Sequence, residues 1–126
     1  MKSPMVLLVE DNAELGVLSS AIIEAAGFSV RLARCAREAN GRLDADLKPD
    51  LIVTDINLGP GPDGFALAKQ ARARRPDLPI VYMSALGAGR FAEEGVSRAQ
   101  FVAKPFQAEA VVTALMLAMT QASAEV

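Results

Sequence analysis

Residues 5–12 read Met5-Val6-Leu7-Leu8-Val9-Glu10-Asp11-Asn12, five apolar side chains in a row followed at once by two acids and an amide. An unbroken apolar run of that length is what a parallel strand covered on both faces requires. The same form recurs downstream: Leu51 to Thr54 delivers Asp55, and Ile80 to Met83 delivers Ser84. Phe28 to Ala33 sets Phe28, Val30 and Leu32 against Ser29 and Arg31, the alternation of a strand near a sheet edge. A fifth run, Gln100 to Ala103, is followed by Lys104 and Pro105.

Helical patterns fill the intervals. Asp11 and Glu14 have the D-x-x-E spacing of a capping box, Leu15, Leu18, Ile22 and Ala25 recur at helical spacing, and Gly27 is placed to end that helix. Further helices are predicted from about Ala36 to Leu47, stopped by Pro49, and from Gly64 to Arg75, stopped by Pro76 and Pro79. A short one spans about Gly89 to Gly95, and the last runs from about Gln107 to Gln121. Strand and helix in strict alternation imply an α/β fold: one parallel sheet, helices on both faces, right-handed crossovers.

In such sheets ligands bind beyond the carboxyl ends of the strands. That rule places Glu10, Asp11, Asp55, Ser84 and Lys104 at one edge. With the first and third strands adjacent, three carboxylates converge and repel unless a cation joins them. Oxygen donors without His or Cys select Mg²⁺, with Mn²⁺ as an alternative, over zinc. A carboxylate facing Mg²⁺, the Lys104 ammonium and the Ser84 hydroxyl suits formation of an aspartyl phosphate.

Composition narrows the classes. The 126 residues, 52% hydrophobic and 22% charged, suit one globular domain, here taken as 1–126 with a core of about 4–121. The 13 basic residues are scattered and the net charge is −2, so no direct nucleic-acid contact is expected. The absence of histidine removes Ser-His-Asp and Cys-His catalysis and any phosphohistidine role. A single cysteine, Cys35, leaves no disulfide and reads as a small inert residue at a helix start. The apolar run after Lys2 is too short for a signal peptide or membrane span, so a cytoplasmic location is expected.

At these residues the chain resembles the receiver domain of bacterial two-component response regulators. The motifs are VLLVEDN (6–12), LIVTDINLG (51–59), PDGFALA (62–68), IVYMSA (80–85) and FVAKPF (101–106). The resemblance implies a single doubly wound (βα)5, flavodoxin-like domain with strand order 2-1-3-4-5. It also implies phosphotransfer from a sensor histidine kinase, or a phosphotransfer protein, to Asp55. Glu10, Asp11, Asp55 and the Asn57 backbone carbonyl would then hold Mg²⁺, and Ser84 and Lys104 would meet the phosphoryl group. Ser84 and Phe101 would act as switch residues, and Lys104–Pro105 would be cis. In that role the chain is a signalling domain rather than an enzyme, catalysing only its own phosphorylation and slow dephosphorylation.

Two departures from the family pattern stand out. Ser84 to Lys104 is about two residues short, so the fourth helix should be short or irregular, and Phe101 lacks a hydroxyl, so it can switch only by packing. Leu86 replaces a more usual polar group, which would slow attack by water. The start Met and lack of a linker favour a free-standing regulator over a receiver excised from a hybrid kinase.

Other readings compete with these. A receiver-like module that works without phosphorylation would keep the fold and lose the chemistry, while an aspartyl phosphatase would need a cap domain and a second acid near Asp55. Gly59, Gly61 and Gly64 spell G-x-G-x-x-G, but Pro60 and Pro62 remove donors and Asp55 and Asp63 would repel a pyrophosphate. Arg72, Arg74 and Arg75 read as a solvated helix end. In the last helix, residues 110–124 carry no charge. Ala108, Val111, Val112, Leu115, Ala118 and Met119 form its sheet-facing stripe, which leaves Met116 and Leu117 for a homodimer or downstream-partner surface shared with the fourth helix and fifth strand.

Overall fold

The computed structural model describes residues 3–85 and 88–124. Strand and helix alternate as β1 (Met5–Val9), α1 (Ala13–Ala25), β2 (Ser29–Ala33), α2 (Ala36–Asp44), β3 (Leu51–Asp55), α3 (Gly64–Arg74), β4 (Ile80–Ser84), α4 (Ala88–Glu94), β5 (Ala99–Ala103) and α5 (Ala108–Ala124). The strands form one parallel sheet in the order β2-β1-β3-β4-β5. This is the doubly wound, flavodoxin-like order.

Burial accounts for the strand compositions. Every residue of β3 and β4 is buried, as a strand with helices on both faces demands, whereas edge strand β2 exposes Ser29 and Arg31. On one face Leu7, Ile52, Phe65, Leu67, Ile80 and Tyr82 pack beneath α2, α3 and α4. On the other, Val6, Leu8, Ile23, Val53, Met83 and Leu115 pack beneath α1 and α5. Each fully buried Leu or Ile contributes about 1.5–3 kcal/mol.

Helix α1 departs from expectation at its start and on its face. Asn12, not Asp11, is the N-cap: its side chain accepts from the Leu15 N–H at 2.9 Å, which leaves the Asp11 carboxylate outside the helix. The buried stripe is Gly16, Ser19 and Ile23, while Leu18 is 51% exposed and Ala25 is also exposed. Small residues face inward because the helix lies close to the sheet; a Cβ on Gly16 would stand 3.3 Å from Leu32 Cδ2. The helix ends as expected. Gly27 takes φ 101°, its N–H reaches the Glu24 carbonyl, and the N–H of buried Phe28 reaches that of Ile23.

Helix α2 stops at Asp44 rather than near Leu47, because Asp46 adopts the left-handed conformation (φ 70°) usually given to glycine. The N–H groups of Asp46 and Leu47 then close on the carbonyls of Leu43 and Arg42, and Leu47 packs onto the core. The arginines at the end of α3 are fasteners rather than a solvated end. Arg72 Nε donates to the Leu78 carbonyl at 2.6 Å, Arg74 pairs with Asp44 at 2.6 Å, and Arg75 Nη1 donates to the Pro49 carbonyl at 2.9 Å. Cys35 N-caps α2, its Sγ accepting from the Glu38 N–H at 3.5 Å.

In α5, Val111, Leu115 and Ala118 are buried, Val112 and Met119 half-buried, and Met116 and Leu117 stand 48% and 47% exposed. Ala108 is exposed rather than on the sheet, because in the first turn it faces a groove against Ala21, Ile22 and Ala25 of α1. As expected, α4 is short, seven residues. Among the described residues no helix is long and apolar enough to cross a membrane.

One glycine is fixed by close approach. The N–H of Gly64 donates to the Ile56 carbonyl at 2.7 Å, and a Cβ there would overlap the Asp55 carbonyl and lie 2.9 Å from Ile56 Cα. Backbone cannot yield as a flexible side chain can. Gly64→Ala is expected to lower the unfolding free energy by about 1–3 kcal/mol, read from the urea midpoint.

Candidate functional site

The parallel register sets the site. Val9 pairs with Thr54 and Asp55 with Met83, so the chain leaves β1, β3 and β4 at the same edge of the sheet. Glu10 and Asp11 follow β1 directly, Asp55 closes β3, Ser84 closes β4 and Lys104 follows β5. Two hydrogen bonds hold the neighbouring backbone: Glu10 N–H to the Ala33 carbonyl at 3.0 Å, and Lys104 N–H to the Ser84 carbonyl at 2.9 Å. The Lys104–Pro105 peptide is cis.

The side chains converge on one ammonium. Lys104 Nζ donates to Glu10 Oε1 at 2.8 Å and to Asp55 Oδ2 at 2.9 Å, although the two carboxylates come from different strands. The other Glu10 oxygen accepts from the Asn12 N–H at 3.2 Å. Glu10 is 1% exposed and Asp55 7%, whereas Asp11 faces solvent. Burial pushes the Glu10 carboxyl above its ordinary range, against the pull of the Lys104 and Asn12 hydrogen bonds. Burial works to lower Lys104, but its hydrogen bonds to Glu10 and Asp55, and their charge, win and raise it.

Glu10, Asp11 and Asp55 each offer a carboxylate oxygen, and the three atoms lie within 4.8 Å of one another. This all-oxygen donor set fits a hard divalent ion such as Mg²⁺. Asn57 is exposed two residues beyond Asp55, in a loop whose Gly59 passes near Asp11; a Cβ on Gly59 would sit 4.0 Å from Asp11 Oδ2. Gly59 and Gly61 adopt φ 77° and 95° and shape that loop. The Gly64 N–H is already committed to Ile56, so the three glycines form no phosphate cradle.

Ser84 is 1% exposed and lies opposite Ala103 of β5. Phe101 is half-buried on the α2–α3–α4 face, pairs across the sheet with Tyr82, and stacks on Phe91 of α4 at 5.4 Å. Phe91 in turn meets Tyr82 edge-on at 5.7 Å, and Tyr82 meets Phe65 at 5.1 Å. The sequence carries no signal for this aromatic chain beyond the even spacing from Tyr82 to Ser84, which puts both residues on one face of β4. Leu86 lies outside the described residues.

Comparison with known proteins agrees with this geometry. The family model described as "Response regulator receiver domain" matches residues 6–116. Over 112 residues the chain is 34% identical to the C4-dicarboxylate transport transcriptional regulatory protein DctD of Rhizobium meliloti, covering 87% of this chain and 24% of that one. It is 34% identical over 120 residues to the virulence transcriptional regulatory protein PhoP of Shigella flexneri, covering 94% and 53%. It therefore spans between a quarter and about half of these relatives. Among solved structures, a response regulator receiver protein from Sinorhizobium medicae superposes with a TM-score of 0.91 at 31% identity, covering 95% of this chain and 97% of that one.

In this geometry Lys104 is a built-in cation competing for the acids that would hold a metal. Lys104→Met is expected to tighten Mg²⁺ binding by about tenfold, measured by calorimetric titration, since three carboxylates then lack their internal counter-charge.

Proposed function

The chain belongs to the receiver-domain family of response regulators, and from that premise we propose that residues 1–126 form one receiver domain whose phosphoacceptor is Asp55. The observation that carries the reading is the double hydrogen bond of Lys104 to Asp55 and Glu10, with Asp11 beside them. Response regulators take part in phosphorylation-dependent two-component signalling with histidine kinases, and the family in general binds Mg²⁺. In this chain Glu10, Asp11, Asp55 and the Asn57 carbonyl would hold that ion. Bound there, Mg²⁺ supplies positive charge to the phosphoryl oxygens and lowers the repulsion between them and the carboxylates.

The chain's own residues do the rest. An Asp55 carboxylate oxygen attacks the phosphorus of a kinase phosphohistidine in line with the leaving nitrogen. The new P–O bond forms as the P–N bond breaks, and the imidazole leaves with that bond's electron pair. The Lys104 ammonium exchanges part of its pairing with the acids for a phosphoryl oxygen, and the Ser84 hydroxyl donates to another. No histidine or second nucleophile is required, in keeping with a signalling domain rather than an enzyme that turns over an external substrate.

The output follows as a population shift. Movement of Ser84 toward the phosphoryl group frees space into which Phe101 packs, and this alters the surface of α4, β5 and α5. That surface is the site for a second copy or a downstream protein. Leu117 lines a groove of about 440 Å³ with Gln100, Phe101, Thr113 and Ala114, so it stands beside the switch residue. Contact with nucleic acid is assigned to no residue of this domain; relatives named as transcriptional regulatory proteins extend well beyond the matched stretch.

Two measurements test this reading. Incubation with acetyl phosphate and Mg²⁺ is expected to add one phosphoryl group by intact mass, lost on chelation of the metal and in Asp55→Asn; an unlabelled wild type would favour a module that works without phosphorylation. Separately, the double variant Met116→Glu, Leu117→Lys is expected to keep that labelling while weakening self-association or partner capture at least tenfold. Unchanged association in ultracentrifugation and pull-down would remove α5 from the interface.

A further inference from the structure

Helix α4 is fastened to the end of the loop that follows Asp55, and the fastener is Arg90. Its Nη2 donates to Asp63 Oδ2 at 3.1 Å, its Nε donates to Glu94 Oε2 at 2.8 Å, and its guanidinium lies 5.1 Å from the centre of the Phe65 ring. Asp63 is the N-cap of α3: Oδ1 accepts from the Ala66 N–H at 2.9 Å, so the carboxylate that receives Arg90 is fixed in direction. It also ends the segment, residues 56–63, that leads away from Asp55. Phe65 is buried, so the ring beneath Arg90 is equally fixed. A second link joins α4 to β4 and β5 through Phe91, which meets both Tyr82 and Phe101.

One guanidinium thus faces two carboxylates with different consequences. The bond to Asp63 spans from α4 to α3, whereas the bond to Glu94 stays within α4, at i,i+4 spacing. Of these two ion pairs, only the first ties α4 to another element. The side chains are 47% exposed for Arg90 and 34% for Asp63, so the link is weak, as a restraint must be if a single phosphoryl group is to overcome it.

We propose that Arg90 is a latch that holds α4 against the β3–α3 loop in the unphosphorylated chain, with Glu94 tuning it by competing for the same guanidinium. The latch rests on the reading of Asp55 as phosphoacceptor and adds a restraint on the switch that this reading does not contain. A contact present in only one of two conformations biases the equilibrium toward it and weakens, by the same factor, any ligand that selects the other. Loss of the latch therefore strengthens binding of a phosphoryl mimic at Asp55.

The test is calorimetric titration with beryllofluoride at saturating Mg²⁺. Arg90→Ala and Asp63→Asn are each expected to bind it about two- to fivefold more tightly than wild type. Asparagine caps a helix as well as aspartate does, so the second variant removes the ion pair and keeps α3 intact. The double variant should bind no more tightly than Arg90→Ala alone, because without Arg90 there is no ion pair left for Asp63→Asn to remove. Glu94→Gln releases Arg90 to Asp63 and should weaken binding by up to about threefold. Unchanged or weaker binding in Arg90→Ala, or a gain there that Asp63→Asn does not share, would overturn the latch. Failure of the wild type to bind beryllofluoride would overturn the phosphoacceptor reading itself, and the latch with it.

Discussion

The ammonium of Lys104 lies between two carboxylates that would otherwise repel across the edge of a hydrophobic sheet. Two like charges at about 4 Å oppose each other by about 4 kcal/mol at an effective dielectric near 20. For a domain whose total stability is only about 5–15 kcal/mol, that cost requires a counter-charge. Lys104 meets it from the end of β5, two strands away from β3, so the pairing depends on the register of β3, β4 and β5 together. The three acids outnumber that one ammonium, and in the proposed function the remaining negative charge would draw a divalent cation. The same repulsion therefore shapes both stability and function.

That constraint explains why the site was legible from the sequence while several structural details were not. Glu10, Asp11, Asp55, Ser84 and Lys104 each follow or close an apolar run, and a parallel sheet with helices on both faces sends every such end to one side. Only the run pattern was needed to collect them. The helical spacing of Leu15, Leu18, Ile22 and Ala25 does not set the buried face of α1: its inward stripe is Gly16, Ser19 and Ile23, where closeness rather than hydrophobicity decides, and larger Leu18 is turned out. The end of α2 carries no sequence signal, because Asp46 takes a conformation normally signalled by glycine. The arginines of α3 bond to carbonyls of Leu78 and Pro49, partners brought near only by the folded chain.

The same distinction separates the chemistry from its transmission. Acids and lysine at strand ends announce themselves, but the ring contacts of Phe65, Tyr82, Phe91 and Phe101 join four elements, α3, β4, α4 and β5, that are apart in sequence. Single aromatic residues in a sequence read as core. Packed in series from α3 through β4 and α4 to β5, they form a continuous path from the neighbourhood of Asp55 to the edge strand. With Arg90 tying α4 to the cap of α3, two mechanically different links, one apolar and one ionic, act on the same short helix. A domain with a small energy gap between two arrangements needs restraints of this modest size.

The most direct test of the central claim is a crystal structure of the chain with Mg²⁺ and beryllofluoride. The fluoride complex is expected on an Asp55 carboxylate oxygen, with Lys104 Nζ in contact with a fluorine and the metal held by Glu10, Asp11, Asp55 and the Asn57 carbonyl. A complex seated on any other carboxylate, or Lys104 still bonded to both Glu10 and Asp55 with no metal among the three acids, would contradict it.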